Sequence, residues 1–161
     1  MDILNWLTTT ADGEFIFTVL VSMIPIVELR GGIPFGVTAG LSVPAAYLAA
    51  VIGNLLPVPF IIVYIRRVFH WMRRTFPKLG RMVDALERKA HLKGRLVTRF
   101  KYLGLAILVA IPLPGTGAWT GALAAAFLDM PLRKAIPSIA AGVLTAGLVI
   151  STLTFGIAHI I

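Results

Sequence analysis

Four apolar stretches alternate with short polar breaks along the chain, and they are of two kinds. Residues 44–65, PAAYLAAVIGNLLPVPFIIVYI, form one run of about twenty-two residues, long enough to cross a hydrocarbon core of about 30 Å as a helix. Pro57 and Pro59 should bend it close to Asn54, because proline removes a helical donor and crowds the preceding turn. Residues 133–161 form a second span, opening on Arg133 and Lys134. The other two stretches, 15–42 and 102–128, are interrupted by ELRGGIP and IPLPGTGAWTG. Their arms have about 11–13 residues each, reaching roughly 16–20 Å at the helical rise, short of a span. Each is therefore either a helical hairpin that enters the membrane and returns or one kinked crossing.

The two halves share an order: apolar arm, proline, glycine-rich tip, apolar arm, proline, full span. A shift of 87 aligns Ile24-Pro25 with Ile111-Pro112 and Pro44 with Pro131. It also aligns Ala39, Leu41 and Ile52 with Ala126, Leu128 and Ile139. With a loop on one side between them, two such halves have opposite orientation, the arrangement of inverted-repeat transporters. The GxxxG spacings Gly36–Gly40 and Gly117–Gly121 read as close helix packing, and Gly142–Ala146 is a further small-residue face. Two hairpins and two spans enclose little on their own, so a homo-oligomer, a dimer by frequency, is expected.

Charge then orients this plan. The 161 residues are 58% hydrophobic and 14% charged, against about 45–50% and 25% for globular domains, which makes the chain an integral membrane protein of one domain, 1–161. Residues 66–101 hold twelve of the fifteen Lys and Arg against Asp84 and Glu87, and read as a cytoplasmic loop under the positive-inside rule. Within it Leu79, Met82, Val83, Leu86 and Ala90 fall at helical spacing after Pro77, with Asp84–Arg88 as an i,i+4 pair. This is an amphipathic helix for anionic membrane lipids, and no nucleic acid is expected. Hairpins would put both termini and acidic Asp2, Asp12 and Glu14 outside, and Arg133 and Lys134 inside. Four full crossings would put Arg133 and Lys134 outside, against the bias. The acidic start does not resemble a cleavable signal peptide, and there is no cysteine. The fold class expected is all-α integral membrane, two inverted repeats of re-entrant hairpin plus transmembrane helix, joined by the basic cytoplasmic segment.

Ionisable groups at membrane depth are functional candidates. Glu28 is the candidate for proton or cation coupling, since an intramembrane carboxyl can carry a proton through the working pH range. Arg30 keeps its charge and suits a phosphate or carboxylate. A Glu28–Arg30 pair, or a Glu28 cap on tip N–H groups, would instead hold the loop in shape. Gly31, Gly32 and Pro34 complete the first tip. In the second, Pro112, Pro114, Gly115, Thr116, Gly117, Trp119 and Thr120 offer loop N–H groups, a hydroxyl, an indole and close backbone approach to an anion. Asn54 is a weaker candidate, its simpler role a hydrogen bond to a neighbouring helix, and Asp129 with Arg133 reads as an interfacial pair. His70, His91 and His159 lack metal-ligand spacing, and no HExxH, GxSxG or P-loop is present. Neither an enzyme, a metal nor a cofactor is expected.

At ELRGGIP (28–34) and PLPGTGAWTGAL (112–123) the chain resembles the small multidrug export proteins, regarded as small relatives of the DedA (VTT) membrane proteins. The resemblance covers nearly the whole chain. It implies facing re-entrant hairpins in a prokaryotic inner membrane and proton-coupled movement of lipid-carrier phosphates. Glu28 takes the acidic role and Arg30 that of the arginines, although the second tip has no Arg. The function expected is a transporter or flippase for an amphipathic anionic substrate, either a lipid or a small molecule. A cationic-drug exporter and a non-transporting scaffold recruited through 66–101 are the alternatives.

Overall fold

The computed structural model describes residue 6 and residues 10–75, 88, 102–113 and 115–156, and every regular element among them is helical. In chain order these are α1 (Ala11–Ser22), α2 (Glu28–Ala39), α3 (Val43–Leu55), α4 (Val58–Thr75), α5 (102–110), α6 (Ala118–Phe127) and α7 (Leu132–Phe155). Val43–Ile65, which joins α3 to the start of α4 through a turn at Leu56–Pro57, and α7 are long and apolar enough to cross a membrane. The proline break expected beside Asn54 is that turn. The amphipathic helix expected after Pro77 lies outside the described residues, apart from Arg88.

Two compact units divide the chain: Met1–Pro57 with Val143–Ile161, and Val58–Gly142. In the first unit Thr10 caps α1, its hydroxyl accepting the Gly13 N–H at 3.1 Å, and Asp12 and Glu14 sit at the positive end of the helix dipole. The helix stops at Ser22, ahead of Pro25, which disfavours helical backbone at the residue before it. After the turn at 23–27, α2 returns antiparallel to α1. Gly32 faces Ser22, Gly36 faces Thr18 and Gly40 faces Glu14, so each pair is one turn further from the tip. Phe17 and Phe35 meet edge to face at 5.2 Å on the same hairpin. The chain leaves α2 by a Schellman motif, with Leu41 N–H donating to Gly36 O (3.0 Å), Gly40 N–H to Val37 O (3.1 Å) and φ 121° at Gly40. α3 then packs antiparallel on α2, Ala46 against Gly36 and Ala50 against Gly32, while Gly53 accepts the Val19 carbonyl and Ser22 against its bare Cα.

The second unit repeats these contacts with different residues. Gly121 of α6 lies on Val109 of α5, as Gly32 lies on Ser22. Gly142 of α7 lies on the Ala106 carbonyl and Val109, as Gly53 lies on the Val19 carbonyl and Ser22. α6 also ends in a Schellman motif, Met130 N–H to Ala125 O (3.0 Å) and Asp129 N–H to Ala126 O (3.4 Å), with Asp129 at φ 52° in place of Gly40. The numbering offset is thus 87 on the first helix of each hairpin and 89 after the tip, because the second tip is two residues longer. A uniform shift of 87 finds the order of elements but mispairs Ala39, Leu41, Pro44 and Ile52.

One expectation is corrected here. ELRGGIP does not interrupt a helix; it is the first half of α2, and the break lies before it at 23–27. Pro34 is accommodated inside the helix at the loss of one intrahelical bond, and the glycines are where α1 and α3 close in. The small-residue positions Gly36, Gly121 and Gly142 are buried in close packing against neighbours in their own chain.

Candidate functional site

Four of the five buried polar side chains among the described residues cluster toward the tip of the first hairpin: Thr18, Ser22, Glu28 and Asn54. Thr18 and Ser22 are the side chains that α2 closes over, and both bond back along α1, to Glu14 O and Thr18 O at 2.7 Å each. Glu28 opens α2 at 7% exposure, with φ 47°, a region that an L side chain occupies only at a cost. Its N–H donates to Ile24 O at 2.9 Å, which closes the tip turn beneath it. The pairs Gly36/Ala46 and Gly32/Ala50 fix the register of α2 on α3, and one turn further that register brings Glu28 and Asn54 to the same level. Asn54 is 1% exposed, and neither its amide oxygen nor its nitrogen has a hydrogen-bond partner.

Of the other first-tip candidates, Arg30 and Gly31 are half-buried, Gly32 is buried beneath Ser22 and Pro34 lies mid-helix. Gly31 leaves room for Val27 and Gly32 for Ser22, so both serve packing of the hairpin.

The second-tip candidates belong to the other unit. Pro114 lies outside the described residues. Thr116 is the staple of this tip: its hydroxyl lies 2.6 Å from Ile111 O and 2.7 Å from Leu113 O and accepts the Leu113 N–H at 3.1 Å. Thr120 donates to Gly115 O at 3.1 Å. Both hydroxyls, named above as ligand candidates, make hydrogen bonds that shape the loop. Gly115 (φ 78°) and Gly117 (φ 154°) take backbone that side chains rarely allow. Pro112 and Trp119 are half-buried, Trp119 in the first turn of α6.

The repeated contacts make a residue-by-residue comparison possible. At the positions of Thr18, Ser22, Glu28 and Asn54, the offsets of 87 and 89 put Leu105, Val109, Gly117 and Val143, all buried. Arg30 corresponds to Trp119. The scaffold is therefore satisfied by apolar residues at these places, and the polar set is not required to build it. Thr18 and Ser22 were not singled out from the sequence; only this alignment across the two-residue difference in tip length exposes them. No cluster of three or more His, Cys, Asp or Glu able to hold a metal occurs among the described residues.

Comparison with curated proteins returns no significant match, and comparison with solved structures returns none. The family described as "Putative small multi-drug export protein" matches residues 28–149, from Glu28 through the second tip and into the C-terminal half of α7, and the chain belongs to that family.

Proposed function

We propose that the chain is a membrane transporter in which Glu28 carries the coupling proton or cation and Asn54 helps to hold the moving species. The observation that carries this reading is the buried polar set Thr18, Ser22, Glu28 and Asn54 of the first unit, where the positions offset by 87 and 89 along the chain hold buried Leu105, Val109, Gly117 and Val143. Burying a carboxyl and an unpartnered amide costs about 1–3 kcal/mol or more per group. A fold that has an apolar solution for the same positions retains that cost for chemistry. The family's description as an exporter supports transport as the purpose.

In this reading both hairpins are re-entrant and the two units are inverted repeats. The substrate in this reading is amphipathic with an anionic head group, of the lipid-carrier phosphate or phospholipid class. Within the first unit, half-buried Arg30, two residues after Glu28, attracts the head group. Export of cationic compounds is the second reading, favoured by the family's printed description and by the burial of an acid rather than a base in the polar set. Liposome flux separates the two. Proteoliposomes with an imposed pH gradient should move a lipid phosphate and not a lipophilic cation, and Glu28→Gln should abolish gradient-driven movement. Transport of the cation alone would transfer the conclusion to the second reading, and no gradient-dependent flux of either would remove the proposal.

A further inference from the structure

We propose that a groove between the start of α3 and the end of α7 holds one acyl chain of a bilayer glycerophospholipid, with the Ser151 hydroxyl donating to its ester carbonyl. The groove, about 250 Å³, is lined by Val43, Pro44, Tyr47, Leu48, Leu148 and Ser151, all within the first unit. Val43 and Ser151 are buried and form its floor; Leu48 and Leu148, each about half exposed, form its rim. Tyr47 builds a wall, its ring laid on the bare Cα of Gly147 and its hydroxyl committed to Leu144 O at 3.1 Å.

Ser151 is the anomaly. Thr18, Ser22, Ser138 and Thr152 each donate to the carbonyl four residues back, as hydroxyls in apolar helices do. The Ser151 oxygen is buried and has no partner. Such a donor is costly unless something supplies an acceptor. The groove opens at half-exposed Leu48 and Leu148 on the two segments long and apolar enough to cross a membrane, the setting in which hydrocarbon would surround it. Its depth fits an ester and not a chain terminus: Val43 is the first residue of α3, and Ser151 lies four residues before the end of α7 at Phe155, about 6 Å along the axis. Apolar walls suit the hydrocarbon, and the carbonyl at its head satisfies Ser151.

Native mass spectrometry of the full chain, released from mild detergent and titrated with dioleoyl phosphatidylethanolamine or its diether analogue, tests this. The wild type should prefer the diester about three- to ten-fold, the worth of one hydrogen bond. Ser151→Ala should erase that preference, and Leu148→Trp, which fills the rim without touching the core, should lose one bound lipid per chain of either type. Equal binding of the two lipids by the wild type, a preference that survives Ser151→Ala, or an unchanged lipid count in Leu148→Trp would each overturn the proposal. A change of oligomeric mass in Leu148→Trp with no loss of lipid would overturn it in favour of a second copy as the occupant.

Discussion

At Glu28 the chain bears two costs together, a buried carboxyl and a positive φ. Proton carrier and tip staple make different predictions there. As a carrier, Glu28→Gln keeps size and most hydrogen bonding, so the protein should accumulate and melt near wild type while gradient-driven flux is lost. As half of a pair with Arg30, the same change leaves a lone guanidinium. Breaking a buried pair costs about 3–5 kcal/mol, against a usual total stability of about 5–15 kcal/mol. Arg30→Gln should then be equally unstable, and Glu28→Gln combined with Arg30→Gln should recover stability. Melting temperature and flux across the three variants decide, and a stable, fully active Glu28→Gln would eliminate both roles. Asn54 gives an independent prediction. Asn54→Val installs the residue used at the corresponding place, Val143, and removes an amide with no partner. The variant should be as stable as wild type or more stable by about 1–3 kcal/mol, and poorer in transport. A destabilised variant would mean that the amide is paired in the membrane and holds the fold. Glu28 and Asn54 were legible in the sequence because charge and amide stand out in apolar runs. Thr18 and Ser22 were not, since a hydroxyl in a helix can bond its own backbone and carry no further meaning.

At the scale of elements, the arm lengths and prolines were enough to anticipate two broken segments and two apolar runs of spanning length, one of them turned at Leu56–Pro57. The position of the first break was not. Glycine and proline weaken a helix by propensity alone, so ELRGGIP reads as the tip. The packing gain of bringing Ser22, Thr18, Ala46 and Ala50 onto the bare faces of Gly32 and Gly36 outweighs that weakness. The break falls instead around Pro25, where no such packing compensates. The register of the internal similarity was lost for a related reason: two extra residues in the second tip shift every later position, and identities cannot reveal an insertion in so divergent a pair. The equivalence can be tested directly. A Cβ at Gly53 or at Gly142 would run into a backbone carbonyl, of Val19 or Ala106, which cannot rotate away as a side chain can. Gly53→Ala and Gly142→Ala should therefore destabilise the purified protein to a similar degree, by about 1–3 kcal/mol each. Thermal melts that show one substitution harmless and the other severe would break the correspondence between the two units.

For the whole molecule, the two spans were legible because length and hydropathy suffice to define them. Orientation is carried by charges that packing does not determine. Exposed Arg67, His70, Trp71 and Arg74 continue α4 beyond Ile65, where the apolar run ends, and Arg67 sits 6.0 Å from the Tyr64 ring. An aromatic and basic collar of this kind suits a membrane–water interface, and under the positive-inside rule its sign predicts the cytoplasmic one. Arg133 and Lys134, exposed at the start of α7, belong to the same rule. If both hairpins return to the face they entered from, these two collars lie on one side, with both termini opposite. If the hairpins cross, Arg133 and Lys134 face out. Reporter fusions that are active only in the cytoplasm, compared with ones active only outside, distinguish the two arrangements at two sites. A fusion after Gly156 should report the extracytoplasmic side and an insertion between residues 76 and 87 the cytoplasmic side. Charge supplies the control: Arg133→Glu with Lys134→Glu weakens the signal that holds this end inside, so the C-terminal reporter should give mixed activity in that variant alone. A cytoplasmic reporter at the C-terminus of the unaltered chain would mean that a broken segment crosses. The proposal that both hairpins are re-entrant would then have to be abandoned.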